Sequence, residues 1–167
     1  MKKLACVFVV CVCIAGCGGA ADKVLQDFGI QDRPEGYVSG SDRVMERMND
    51  VGKSELKRLN LQNRRGEVRY DDTDRLHGKY YKVVKVYERF YPLDANASGR
   101  TSAKRQRGFV GYIDFSYLYY ESPRKNLRAE AAIEVADIPT GEGGRETYRY
   151  RFDSAGTWNG GKGELIR

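Results

Sequence analysis

The 167-residue chain contains one histidine and four cysteines, and all four cysteines fall within its first 17 positions. Beyond residue 17 there is no thiol to serve as a disulfide partner, a nucleophile or a thiolate metal ligand. His77, the lone histidine, lacks the second imidazole or free thiol from which a protein zinc site is built. It fits an exposed turn beside Gly78. Long apolar runs are also missing. The longest, Leu4 to Ile14, falls short of the roughly 20 residues that a membrane-spanning helix needs. No Gly-x-Ser-x-Gly elbow occurs, and no Lys-Ser/Thr pair follows Gly141-Glu142-Gly143-Gly144. That removes the α/β-hydrolase nucleophile and the phosphate-cradling P-loop. Strongly clustered charge is scarce as well. The 29 Lys and Arg against 23 Asp and Glu are mostly dispersed, unlike the basic footprint of a nucleic-acid binder.

What is present begins at the amino terminus. Lys2 and Lys3 form a positive n-region, Leu4 to Ile14 an apolar h-region, and Ala15-Gly16 a small-residue cleavage site before Cys17. Cys6, Cys11 and Cys13 are rival positions, but bulky Val10 and Val12 precede the last two, and Cys17 alone follows a glycine. The Ile14-Ala15-Gly16-Cys17 stretch resembles the lipobox of bacterial lipoproteins. The resemblance implies a diacylglyceryl thioether on Cys17, cleavage after Gly16 and acylation of the new amino terminus. Two or more acyl chains hold a protein stably at a membrane. The implied location is the bacterial cell envelope. Gly18 rather than Asp after the cysteine favours the outer membrane in a diderm host. The covalent lipid on Cys17 is the one non-protein group expected, with no cofactor and no metal.

The expected organisation is a cleaved signal over 1–16, a lipidated Cys17 and tether over 17–40, and one domain over 41–167. Removal of Lys2 and Lys3 leaves 27 basic against 23 acidic residues, a mild excess. About 150 residues are enough for one domain with an ordinary core. Within the tether, Asp22 to Phe28 can form two helical turns before Gly29. Pro34 and Gly36 then break the pattern.

The clearest helix spans about Ser41 to Gln62, with Val44, Met45, Met48, Val51, Leu56 and Leu59 on one face. Ser41 or Asp42 is its expected N-cap. Gly52 leaves two alternatives, one kinked helix or two short ones. After Gly66 the period becomes two. Expected strands are Glu67–Tyr70, Lys79–Tyr91 stopped by Pro92, Phe109–Glu121, Leu127–Asp137 and Glu146–Asp153. Asp71-Asp72-Thr73-Asp74 reads as a turn, Pro139–Gly144 as a Gly-rich turn, and Asn159-Gly160 as the centre of a closing hairpin. Twelve tyrosines, most of them between Tyr80 and Tyr150, suit half-buried sheet surfaces. Helix first and strands after argue for an α+β domain. Its amphipathic helix, or pair of helices, covers the apolar face of a curved antiparallel sheet of about four to six strands. This order resembles cystatin-like or NTF2-like architecture over roughly Ser41 to Arg167.

Candidate site residues are few. Glu55 falls near the middle of the helix's apolar face. It is either a carboxylate aimed into a helix–sheet cavity or, as expected here, an acid rotated by a break at Gly52 into the first turn of a second helix. Asp114, with Glu121, Glu130 and Glu134, could supply a paired carboxylate of the glycosidase kind, but neighbouring Arg and Lys favour solvated ion pairs. Glu55 and Asp114 are thus the candidates for an envelope enzyme. Asp71, Asp72 and Asp74 lack the glycine and distal Glu of an EF-hand. One basic concentration remains: Arg100, Lys104, Arg105 and Arg107, in a Gly/Ser/Ala-rich segment. Near a membrane it would meet anionic lipid or an acidic envelope protein. The leading expectation is a non-enzymatic, membrane-anchored binding or assembly module, with no nucleic-acid partner.

Overall fold

The computed structural model describes residues 18–27, 30–32, 34–73, 79–98 and 108–167. Cys17, Asp74, His77, Arg100, Lys104, Arg105 and Arg107 lie outside the described residues. The described elements are α1 (Gly18–Asp27), α2 (Gly40–Asn63), β1 (Glu67–Asp71), β2 (Lys79–Ser98), β3 (Gly108–Glu121), α3 (Arg128–Ile133), β4 (Ile138–Phe152) and β5 (Glu164–Leu165). The five strands form one open antiparallel sheet in the order β1-β2-β3-β4-β5. Helix α2 packs against it, chiefly over β2 and β3. The class is α+β.

Helix α2 starts at a cap two or three residues earlier than the sequence suggests. Ser39, not Ser41 or Asp42, is the N-cap: its hydroxyl accepts from the Asp42 N–H at 3.1 Å, and Asp42 reaches back to the Ser39 N–H at 3.3 Å. A second anion strengthens this end. The Asp27 carboxylate, buried at the end of α1, accepts from the Gly40 N–H at 2.7 Å and pairs with Arg43 and the Tyr37 hydroxyl. A carboxylate beside exposed helical N–H groups is favoured there. Asp27 thereby ties the segment around α1 to the domain.

The helix then runs unbroken through Gly52. A methyl group at Gly52 would lie 2.2 Å from the Phe90 ring of β2, so the glycine marks a close approach, not a break. Val44, Met48, Val51, Glu55 and Leu59 are buried on one stripe. Facing them, Phe109, Ile113 and Phe115 are almost fully enclosed along alternate positions of β3, as the period-two pattern predicts. Tyr148, Tyr150 and Phe152 of β4 complete the core with Tyr87 and Ala95 of β2.

Three expected boundaries are corrected. Strand β2 does not stop at Pro92 but runs to Ser98, with a register shift between Pro92 and Asp94. Strand β1 pairs only with Lys79–Val83, so Pro92 lies along an unpaired stretch of the sheet edge, where a missing donor is tolerated. The stretch Pro139–Gly144 is strand rather than turn, because a side chain at Gly143 would strike the Tyr117 carbonyl at 2.4 Å. The largest error is the strand expected over Leu127–Asp137. Its Arg-Ala-Glu-Ala-Ala-Ile core forms α3 instead, consistent with alanine's helix preference. Only Ala131 of the presumed inward face is buried, while Leu127, Ile133 and Val135 are exposed. At the other turns, Asp71 accepts from the Thr73 N–H and hydroxyl, closing β1 as expected. The closing reversal expected at Asn159-Gly160 lies earlier, at Asp153–Thr157: the Asp153 N–H donates to the Thr157 carbonyl and the Gly156 N–H (φ 75°) to the Asp153 carbonyl, both at 3.0 Å, so that Trp158 bridges Phe152 and β5 pairs with β4.

The close approach at Gly52 is testable. Alanine in a helix interior normally gains about 1 kcal/mol over glycine. Gly52→Ala should nevertheless lower the melting temperature, because overpacking against Phe90 costs about 1–3 kcal/mol. A raised melting temperature would show that α2 and β2 are not in this contact.

Candidate functional site

Glu55 is not in a first turn. It sits 1 % exposed in the middle of α2, correcting the expectation that a break at Gly52 rotates it into the first turn of a second helix. Its position follows from the helix repeat, four residues beyond Val51 and four before Leu59. The carboxylate is held by a two-pronged bond from Arg58, with the Nε and a terminal nitrogen each 2.6 Å from a separate oxygen. The Tyr150 hydroxyl adds a donor at 3.2 Å. Burial first, then the negative charge of Glu55, raises the Tyr150 phenol above its ordinary value. The hydroxyl is therefore kept as a donor.

A second carboxylate lies further along the same inner face. Glu146 of β4 accepts from Lys85, from the Tyr87 hydroxyl and, at 3.1 Å, from the Tyr148 hydroxyl. The Lys85 ammonium also stands 3.9 Å from the centroid of the Tyr117 ring. Asn60 of α2 bonds both backbone groups of Tyr87 at 2.8 Å, replacing the partner strand that β1 is too short to supply. Burial works to raise the Glu146 carboxyl, but the bonds from Lys85 and the two tyrosines outweigh it and hold the group below its ordinary value. These groups satisfy one another. Their arrangement fastens helix to sheet.

Asp114 lies on the opposite face. Its neighbours Ile113 and Phe115 point inward, and Asp114 accepts from the Thr147 hydroxyl on the outer surface at 2.5 Å. Glu55 and Asp114 therefore do not converge. Glu121 pairs with Arg124, and Glu134, on the segment after α3, pairs with Lys125, so these acids form the expected surface ion pairs. Among the described residues no group of three or more His, Cys, Asp or Glu side chains could hold a metal ion. No described helix is long and apolar enough to cross a membrane.

The region with unmatched charge is elsewhere. Where α2 ends, the chain turns at Gly66 (φ 63°) into β1, and α3 packs against β1 and β2 nearby. Between them run two adjoining open grooves of about 570 and 520 Å³. Arg64 and Lys82 line both, and Arg65 and Arg128 line the first. None of these four cations has a carboxylate partner among the described residues, while the two acids lining the grooves are taken by Arg69 and Lys125. Lys82 is only 9 % exposed, and its ammonium makes one long bond, 3.4 Å to the Ala132 carbonyl. The second groove is walled by Val84 and Val86 on one side and by Ile133 and Val135 on the other. Sequence reasoning missed this feature because it depends on α3, which alternation disguised as a strand. The Arg64-Arg65 pair just past α2 was its only local signal.

No protein-family model, curated protein or solved structure matches the chain.

Two variants test the inner-face assignment. Glu55→Ala should destabilise by about 3 kcal/mol, since it leaves the Arg58 guanidinium and the Tyr150 hydroxyl without their shared acceptor; a change near zero by chemical denaturation would overturn the buried pair. For Glu146, a folded value below the unfolded one means stabilisation that is full above 4.5 and lost as pH falls through the lowered value. Glu146→Gln should thus be less stable than the parent near neutrality, with the gap closing in acid. A gap that widens on acidification would contradict this sign.

Proposed function

We propose that this chain is a membrane-anchored envelope lipoprotein acting as a non-enzymatic binding or assembly module. The observation that carries the reading is the Ile14-Ala15-Gly16-Cys17 stretch behind its charged and apolar regions, which supplies an anchor at Cys17. The domain's geometry supports binding over catalysis. Glu55 is occupied by Arg58 and Tyr150 on one face of the sheet, and Asp114 by Thr147 on the other. Four cations around two open grooves, by contrast, have no carboxylate partner among the described residues.

The anchor and the domain lie close together in this reading. The ten residues of α1, Gly18–Asp27, span about 15 Å before Asp27 meets the start of α2. Short tethering raises the effective concentration of membrane-borne partners. Arg100, Lys104, Arg105 and Arg107 would add electrostatic attraction to anionic headgroups. In a diderm host the site of action is the outer membrane.

Cys17→Ser should shift the protein from the membrane fraction to the soluble fraction and abolish labelling by a fatty-acid analogue; retention with undiminished labelling would refute the anchor. Neutralising Lys104, Arg105 and Arg107 together should weaken binding to vesicles containing phosphatidylglycerol by about tenfold at low salt, with little difference at high salt. Equal binding at both salt concentrations would remove the basic segment from the function.

A further inference from the structure

The grooves at the end of α2 combine a cationic and an apolar lining. At one end, Arg64, Arg65 and Arg128 line a groove together with Lys82, which is only 9 % exposed. The three arginines are exposed, so Lys82 is the most enclosed of the four cations, and an anion in the groove would pair with it. Here the described partner is a single backbone carbonyl at 3.4 Å. Elsewhere in this fold, inward cations are answered in full: Arg58 by Glu55, Lys85 by Glu146, Arg43 by Asp27. Lys82 breaks that pattern. The three guanidinium groups lining the same groove have the planar donor geometry that suits a phosphate group.

At the other end the lining changes character. Val84 and Val86 form one wall, and Ile133 and Val135, respectively 84 % and 67 % exposed, form the other. Side chains this open, bordering the groove, are available to contact an apolar group placed in it. The cationic and apolar portions share Arg64 and Lys82, so they form one continuous path. Each groove falls within the roughly 300–1,000 Å³ of small-ligand sites.

We propose that this path binds a single-chain anionic phospholipid. Its phosphate lies among Arg64, Arg65, Lys82 and Arg128, and its acyl chain runs between the Val84–Val86 and Ile133–Val135 walls. A free phosphate would leave the apolar walls uncovered, and a neutral lipid would leave Lys82 unanswered. The proposal rests on the binding-module reading and gives it a ligand class. It is independent of the basic segment around Lys104, which would act on membrane surfaces without a pocket.

The test is native mass spectrometry of the full chain in a non-ionic detergent, titrated with palmitoyl lysophosphatidylglycerol. Palmitoyl lysophosphatidylcholine supplies the same chain with a zwitterionic head, and glycerol phosphate supplies the head without the chain. The anionic lipid should saturate at one molecule and bind at least about tenfold more tightly than either control. The double variant Arg64→Gln/Arg65→Gln should weaken it about tenfold or more. Ile133→Ser/Val135→Ser should weaken the lipid equally while leaving glycerol phosphate unchanged. All four positions are exposed, so these variants keep the fold even if Lys82→Met does not, and circular dichroism verifies that. Equal binding of the phosphatidylcholine analogue, equal binding of glycerol phosphate, or unchanged binding in both double variants would each overturn the proposal. Because the titration does not depend on Cys17, a failure here is distinct from a failure of the anchor, which membrane fractionation reads.

Discussion

Helix α2 and the sheet meet at three positions where one partner has no side chain. A methyl on Gly40 would lie 2.0 Å from the Phe109 ring, one on Gly52 would lie 2.2 Å from Phe90, and one on Gly111 would lie 2.4 Å from the Met48 sulfur. The helix axis therefore sits closer to the strands than ordinary side-chain layers permit. Much else follows from that closeness. Aromatic rings fill the remaining space edge-on, with Phe115 meeting both Tyr87 and Tyr148 at near-perpendicular angles. The tyrosine hydroxyls are carried to the margin of the core, where Glu55 and Glu146 receive them. A helix set further out would leave those hydroxyls and carboxylates separated, and the polar groups unsatisfied.

The parts of this arrangement that were legible in the sequence were those governed by a single period. The helical stripe from Val44 to Leu59 and the alternation from Phe109 to Tyr117 each report one buried face, and each was read correctly. What misled the reading was composition whose meaning depends on a distant neighbour. Gly52 looks like a helix breaker until Phe90 is known to lie against it. The glycines at 143 and 144 look like a turn until Tyr117 occupies the space their side chains would need. Between Leu127 and Val135 the aliphatic residues alternate without facing a core, so the pattern carried no burial information there. Glu55 is the sharpest case. Its sequence position on an apolar face was plain, but its partners, Tyr150 and Arg58, come from a remote strand and from the next helical turn. A favourable local explanation displaced the correct tertiary one.

The charge distribution completes the argument about what the domain presents outward. Its inner carboxylates are neutralised within the fold, Glu55 by Arg58, Glu146 by Lys85 and Asp27 by Arg43. Positive charge is instead left over where α2 ends. The helix macrodipole places roughly half a negative charge at that terminus, which favours Arg64 and Arg65 locally. Half a charge does not balance four cations, none of which has a carboxylate partner among the described residues. The fold thus concentrates an uncompensated positive potential beside its exposed aliphatic residues, on a chain whose amino terminus carries the features of a lipid anchor. Stability alone accounts for the first arrangement, the internal pairing. The second arrangement has no such internal pairing among the described residues. An anionic lipid bound there, as proposed above, would supply the missing partner at the junction of a cationic and an apolar surface.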